Sequence, residues 1–457
     1  MSRRLIYRLV TTLRGEGAVL KYLREIRSLQ RLPEEELARR QDAQLLELLA
    51  FAGKHNRFHR QRGVSSDGLT ADNVRRYVST IEPMSRLDLQ QNVHELTSEV
   101  LPRRVSSKST GGSTGQPVKL IKDSRGVARE MAASWMALEW FGIGIADRGV
   151  RFWGTPLTAK RRLRFRLADF AMNRIRLSAF DLHDDDLAEY WERCIRFQPR
   201  WFYGYASLIH MFAEFIDKRG LDGRRLGLRA IVPTSEPLTT AQRETITRVY
   251  GAPIQNEYGC GEVGAIAYEC ERGLLHILSE NLFVEVLDSE GREVSSGETG
   301  EVVVTDLTNT AMPLIRYRVG DYAVKGAKCS CGRSFPTLAK VWGRIHDVLY
   351  TPAGNRWHGE KLDYLMVQLF GDIGGFTQYQ VVQDGPDTLD VRLVSDQPIP
   401  DVMQQRIRTY VRERLDGMRA SVRRVDSIER SPSGKLRLVR NDWLATAAGA
   451  ETNLTEV

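Results

Sequence analysis

The chain has 457 residues, 42% of them hydrophobic, with a formal net charge of +8 and five cysteines. This length exceeds one ordinary hydrophobic core, so at least two domains are expected, and no apolar run approaches the roughly 20 residues that cross a bilayer. An odd cysteine count without a clean signal-peptide core predicts a cytoplasmic chain with reduced thiols, and the scattered basic residues favour a nucleotide, coenzyme A or an acidic surface over nucleic acid.

In residues 1–60, Leu5, Leu9 and Leu13, then Val19, Leu20, Leu23, Ile26 and Leu29 recur at helical spacing with arginines between them. Such a helix docks on the body of the protein, or lies as a basic amphipathic helix on an anionic membrane surface. Leu45 to Ala50 continue as a buried helix. The stretch from Thr70 to Leu101 is helical and polar, with Ser85 as an N-cap for Arg86-Leu87-Asp88-Leu89.

Three glycines among hydroxyl residues follow, Ser109-Thr110-Gly111-Gly112-Ser113-Thr114-Gly115-Gln116-Pro117, ahead of a strand starting at Val118. Glycines let backbone N–H groups form a concave nest, and hydroxyls add donors, so the loop suits the phosphates of a triphosphate. It lacks the Gly-Lys-Ser/Thr ending of the ordinary P-loop, and a polar turn has the same composition.

A helix is expected from Ser124 to about Phe141, then a strand at Gly149–Gly154 and a segment from Phe197 to Tyr203 leading into a helix at Ser207–Lys218. A strand at Ala230–Pro233, a helix at Thr240–Tyr250 and a strand at Pro253–Tyr258 follow. Short apolar strands separated by helices predict a mostly parallel, covered sheet. Between them lies a basic run, Lys160, Arg161, Arg162, Arg164, Arg166, Arg174 and Arg176, read as a solvated face or an anion-binding surface. From Leu282 the pattern becomes antiparallel, with strands at Phe283–Leu287 and Gly300–Thr305. The predicted class is α/β: a large N-terminal domain over residues 1–345 and a small α+β domain over 346–457. In the latter, strands are expected near 377–383, 388–394 and 421–428 and a helix near 401–415.

Four further stretches carry chemistry. Asn256-Glu257-Tyr258-Gly259-Cys260-Gly261-Glu262 offers a flat aromatic that can stack on a base and a carboxylate that can hold Mg2+. A turn at Arg318-Val319-Gly320-Asp321 would present a carboxylate to ribose hydroxyls; Gly343-Arg344-Ile345-His346-Asp347 and Ser433-Gly434-Lys435 complete the set. Singly, each is compatible with a core tyrosine, an ordinary turn, a surface arginine or a loop lysine.

In this order they resemble the adenylate-forming superfamily of acyl-CoA synthetases, specifically its phenylacetate-CoA ligase-like group with capsule-biosynthesis relatives. The resemblance spans nearly the whole chain and includes Thr234-Ser235-Glu236-Pro237 in place of an Ala-Glu-Pro motif. It implies an adenylation domain and a mobile lid, with ATP, Mg2+ and a carboxylic acid as substrates and coenzyme A, or an amine, as acyl acceptor. Thr110, Gly112, Ser113, Thr114 and Gly115 would cradle phosphates. Ser235, Glu236 and Pro237 would flank the adenine pocket with Asn256 and Tyr258, Glu257 and Gly259 would also belong to the ATP site, Asp321 would bind ribose, and Arg344 would contact the nucleotide. Glu262 would hold Mg2+, His346 or Asp347 would serve as the hinge, and Lys435 would reach the carboxylate and α-phosphate.

This sequence departs from the family pattern at Gly261, which replaces a hydroxyl residue, at His346, and at Gln116, which replaces a loop lysine. Cys270, His276, Cys329 and Cys331 form a candidate Cys3His zinc set, with buried thiols as the alternative. The resemblance adds similar Cys and His positions in that group. Cys194 and Cys260 are read as spare thiols.

Overall fold

The computed structural model describes residues 3–13, 17–110, 118–153, 168–170, 172–178, 184–344, 348–353, 356–358, 378–395, 397–429 and 439–443. It divides into two compact units, Met1–Ser235 with Thr245–Val341, and Glu236–Glu244 with Trp342–Val457.

The first unit opens with three helices, Arg3–Leu13, Val19–Leu29 and Glu34–His55. Tyr7, Val19, Leu23, Ile26 and Leu29 form one apolar side that packs into a cluster with Ala128, Ala132, Trp135 and Met136 of the helix Ser124–Glu139. The helical spacing thus seals a core, although Leu5 and Leu9 remain half exposed. Ser85 caps the helix Arg86–Gln91 with a reciprocal capping box to Asp88.

An antiparallel hairpin, β1 (Val105–Thr110) and β2 (Val118–Asp123), precedes the main sheet. That sheet contains β3 (Gly149–Trp153), β4 (Arg174–Ser178), β5 (Trp201–Tyr205), β6 (Ala230–Thr234), β7 (Glu257–Cys260), β8 (Gly264–Glu269) and β9 (Leu275–Ile277). It continues with β10 (Leu282–Leu287), β11 (Thr299–Asp306), β12 (Tyr317–Lys325) and β13 (Thr337–Arg344). Among the described residues the order is β10-β11-β12-β13-β9-β8-β7-β6-β5-β3-β4. Neighbours from β4 to β7 pair in parallel, whereas β7-β8-β9 and β10-β11-β12 are antiparallel. Residues of β6 are buried on both faces, as a covered parallel strand requires.

Two expectations are corrected. The segment from Pro253 does not pair as a strand until Glu257: Ile254 makes one isolated bridge to Ile231, and the buried Gln255 amide donates to the Ala137 carbonyl oxygen. Arg318–Asp321 is not a turn but lies within β12, where the register against β11 shifts between Glu301 and Val303 and Gly320 has φ +81°. The glycine permits a bulge, not a chain reversal. The sequence reading also missed β8, β9 and β13.

In the second unit, β16 (Gln378–Gln383), β17 (Thr388–Val394), β18 (Arg419–Val425) and β19 (Val439–Asn441) follow a short hairpin, β14 (Val348–Tyr350) with β15 (Arg356–His358). Their order is β18-β17-β16-β19, with an antiparallel central pair and parallel outer pairs. Ile407 and Val411 of the helix Asp401–Arg414 pack on Val381, Val391 and Leu393.

One buried imidazole gives this fold a pH dependence. His59 is fully buried, its Nε2 pairs with the Pro313 carbonyl oxygen at 3.0 Å, and Nδ1 has no partner. A proton on Nδ1 would be stranded, and burial lowers the pKa to about 4. Because the unfolded chain takes up this proton near pH 6.5, stability falls as pH drops from 6.5 towards 4, by up to about 3 kcal/mol from this residue. Denaturant unfolding across that window should show a shallower pH dependence in His59→Gln. Equal slopes would contradict this assignment.

Candidate functional site

The site is built where the parallel strand β6 ends beside the start of β7, and the carboxyl ends of such strands are the side of an α/β sheet at which ligands bind. Glu257 opens β7, in register with Thr234. Its carboxylate accepts from Tyr203 Oη at 3.0 Å, Thr234 Oγ1 at 2.9 Å and Tyr268 Oη at 2.5 Å. Burial raises its pKa above the ordinary carboxylate range, opposed by these hydroxyls. Glu257 is therefore anchored within the sheet rather than presented to a ligand.

Strand alternation sends the next side chain the other way. Tyr258 is buried, and its hydroxyl donates to Asp321 Oδ2 at 3.0 Å. The β12 bulge thus brings Asp321 to Tyr258 from 63 residues away. Asn256 donates its backbone N–H to Glu269 Oε2 at 3.0 Å, while its side-chain Oδ1 is buried without a protein partner. Ser235, directly after β6, holds a left-handed φ of +68°, an uncommon conformation for a residue with a Cβ.

The turn after β7 is clamped from two sides. Glu262, only 3% exposed, pairs with Arg86 Nη1 at 2.6 Å, and Lys122 Nζ donates to the Val263 carbonyl oxygen at 3.1 Å. Arg86 Nε and Nη2 are buried without partners, so the guanidinium keeps unused donors beside the carboxylate. A Cβ on Gly259 would come within 2.5 Å of the Gly264 carbonyl oxygen, so this close hairpin requires glycine. Burial pushes the Cys260 thiol up to about 12, which suits packing and not nucleophilic attack.

Tyr258, Asp321, Asn256, Ser235 and Glu262 all belong to the first unit, whereas Glu236, Pro237 and Arg344 fall in the second. Thr110 ends β1 and Arg344 ends β13. Gly112, Ser113, Thr114, Gly115, His346, Asp347 and Lys435 lie outside the described residues. Sequence reading overlooked Arg86, Tyr203 and Tyr268, whose contacts with Glu262 and Glu257 span from 11 to 176 residues and leave no local signal.

A second cluster joins β9 to the loop before β13. The side-chain ligand atoms of Cys270, His276, Cys329 and Cys331 lie within 4.8 Å of one another. Cys270 Sγ is 3.7 Å from Cys329 Sγ, and Cys331 Sγ is 3.2 Å from His276 Nε2. His276 Nδ1 lies 3.1 Å from the Phe335 carbonyl oxygen, which fixes the tautomer that leaves Nε2 free to ligate. Three thiols and one oriented imidazole fit the donor set of a structural zinc.

Residues 349–442 match the CapK C-terminal domain family. Protein CapK of Staphylococcus aureus is 24% identical over 307 residues, covering 66% of this chain and 65% of CapK. A phenylacetate-coenzyme A ligase of Thermus thermophilus is 34% identical over 149 residues, covering 31% of this chain and 34% of that enzyme. The structure of 2-hydroxyisobutyryl-CoA ligase with 2-HIB-AMP aligns with a TM-score of 0.71 at 20% identity, covering 93% of this chain and 94% of that one. An anthranilate CoA ligase with anthranoyl-AMP aligns at 0.54 and 16% identity, covering 75% and 67%. The chain therefore has the fold of the adenylate-forming ligases it aligns with, its residues 349–442 resemble the CapK C-terminal domain, and CapK and the phenylacetate-CoA ligases are its relatives.

Proposed function

We propose that this chain activates a carboxylic acid with ATP, releasing pyrophosphate and forming an acyl-adenylate, and passes the acyl group to coenzyme A. The observation that carries this reading is the pairing of Tyr258 with Asp321 beside Asn256 and Glu262 at the ends of β6 and β7. Tyr258 offers a flat face for adenine, Asn256 Oδ1 an open acceptor for its amino group, and Asp321 an acceptor for ribose hydroxyls. Ser235, Glu236 and Pro237 are assigned to the adenine side, Glu257 and Gly259 to the backbone that positions Tyr258, and Arg344 to the nucleotide.

Glu262 is the residue for Mg2+, which when bound neutralises charge on the phosphates. Arg86 holds Glu262 Oε1 at 2.6 Å, and its buried Nε and Nη2 are further donors beside that carboxylate. Thr110, Gly112, Ser113, Thr114 and Gly115 are assigned to the phosphates. The acid carboxylate attacks the α-phosphorus as the bond to pyrophosphate breaks, and Lys435 supplies positive charge to the oxygens where negative charge accumulates. His346 or Asp347 is the proposed hinge. A second reading keeps the same adenylation step and has an amine or another group in place of coenzyme A as acceptor.

Acid-dependent exchange of pyrophosphate into ATP, run over a panel of acids, tests the first half-reaction. Lys435→Ala should lower it about 10²-fold or more while still converting a supplied acyl-adenylate to product. Full exchange in that variant, or equal loss of both half-reactions in a folded protein, would contradict the assignment. Asp321→Ala should weaken ATP about 10-fold or more, since hydrogen bonds to a charged acceptor are lost. Calorimetric titration measures this directly, and unchanged affinity in a folded variant removes Asp321 from the nucleotide site. For the thiol cluster, protein purified without chelator should contain about one zinc per chain, absent from the double variant Cys329→Ser, Cys331→Ser. A metal-free and equally stable wild type would end that proposal.

A further inference from the structure

The adenylation reading leaves unused a cationic group one strand further into the sheet. Arg151 on β3 stands in register with Arg176 on β4 and Tyr203 on β5. Its guanidinium carbon lies 4.3 Å from the Trp153 ring centroid and 5.3 Å from that of Tyr203, and these two rings are nearly parallel, 11° apart. Stacking on aromatic faces holds a guanidinium in place while leaving its in-plane N–H groups for a partner. Among the described residues none accepts from it: Arg151 makes no hydrogen bond or ion pair, and Nε is buried without a partner.

The neighbouring carboxylates are already committed. Asp169 accepts from Arg174 Nε at 2.6 Å and from Arg176 Nε at 3.1 Å, while the oxygens of Glu257 are taken by three hydroxyls. Three arginines therefore share this corner with one doubly paired aspartate and one glutamate that burial biases towards its neutral form. Burial also lowers the Arg151 pKa to about 10, so the guanidinium remains charged at neutral pH without a matching anion. Arg151 is partly exposed with its Nε buried, and such a partly desolvated cation gains from a ligand that supplies the counter-charge.

The wall around it is aromatic. Trp153 also packs on Tyr205 at 4.6 Å, and Trp201, on the same face of β5 as Tyr203, meets Trp135 of the helix Ser124–Glu139 edge-on at 6.2 Å. The corner connects to the nucleotide motif through one hydrogen bond, because Tyr203 Oη donates to Glu257, the residue between Asn256 and Tyr258. An acid whose reacting carboxylate is directed at the nucleotide would extend its other end towards β3.

We propose that Arg151 is a specificity-determining residue that binds a second carboxylate of the acid substrate, so that the acid activated is a dicarboxylate and not an apolar monoacid. This rests on the adenylation reading and deepens it by naming the substrate class. The geometry gives Arg151 a bidentate partner on the substrate, with Trp153 and Tyr203 fixing the plane of the guanidinium. A substrate without the second anion leaves the buried Nε–H unsatisfied, the situation in which polar sites discriminate most strongly.

The test uses pairs of acids of equal chain length, one monocarboxylic and one dicarboxylic, in wild type, Arg151→Met and Arg151→Lys. Two readouts are taken: acid-dependent pyrophosphate exchange, and calorimetric binding of each acid without ATP. The wild type should favour the best diacid by about 10²-fold in kcat/KM, Arg151→Met should bring the ratio close to one, and Arg151→Lys should restore part of it. A wild type that prefers monoacids, or an unchanged preference in Arg151→Met, overturns the proposal. Absence of exchange with every acid overturns the adenylation reading instead. Calorimetry then still decides on Arg151: diacid binding that disappears in Arg151→Met sustains the anion subsite, and no diacid binding by wild type removes it.

Discussion

The buried carboxylate of Glu257 fixes the rest of the site. Three hydroxyls, from β5, β6 and β8, converge on it, so the first residue of β7 cannot rotate and its neighbour must point the other way. Tyr258 then reaches Asp321, and the backbone runs on into a hairpin tight enough to exclude a Cβ at Gly259. Glu262 leaves that hairpin into the grip of Arg86. A network of this kind has high stakes: fully satisfied it defines one geometry, and a missing hydroxyl would leave a buried carboxylate short of a donor.

Charge is distributed to match. Lys122 and Arg86 clamp the hairpin, Arg174 and Arg176 share Asp169, and Arg316 is locked to Glu285 by two hydrogen bonds of 3.0 Å within the core. Two of the guanidiniums that retain buried, unused donors, those of Arg86 and Arg151, are more informative. Arg86 lies beside the carboxylate assigned to the metal, and Arg151 lies at the aromatic corner. Both fit a protein that waits for anions, in line with its excess of basic residues.

Much of this was legible in the sequence because it is local. The apolar spacing of Val19, Leu23, Ile26 and Leu29, the Ser85 cap and the covered parallel strands follow from periodicity and capping chemistry. The thiols and imidazole that converge from Cys270, His276, Cys329 and Cys331 were visible as a spacing of donor types. What stayed hidden is non-local. Arg318–Asp321 reads as a turn because Gly and Asp favour turns, but pairing with β11 converts it into a bulged strand. Pro253–Tyr258 reads as one strand, yet β7 starts only at Glu257 and the buried Gln255 spends its side-chain amide on the helix Ser124–Glu139. The basic run after Trp153 reads as a solvated face or an anion-binding surface, and nothing in it announces that Arg174 and Arg176 lie on a strand and pair with Asp169. Residues 160–166 of that run lie outside the described residues.

The central claim is that the Tyr258 and Asp321 pair serves an acid-activating nucleotide site and not one that transfers a terminal phosphate. Product analysis of a single-turnover reaction with ATP, Mg2+ and an acid addresses it most directly. The account predicts pyrophosphate together with a trapped acyl-adenylate, formed only when the acid is present. ADP and phosphate as the products, or nucleotide cleavage independent of any acid, would contradict it.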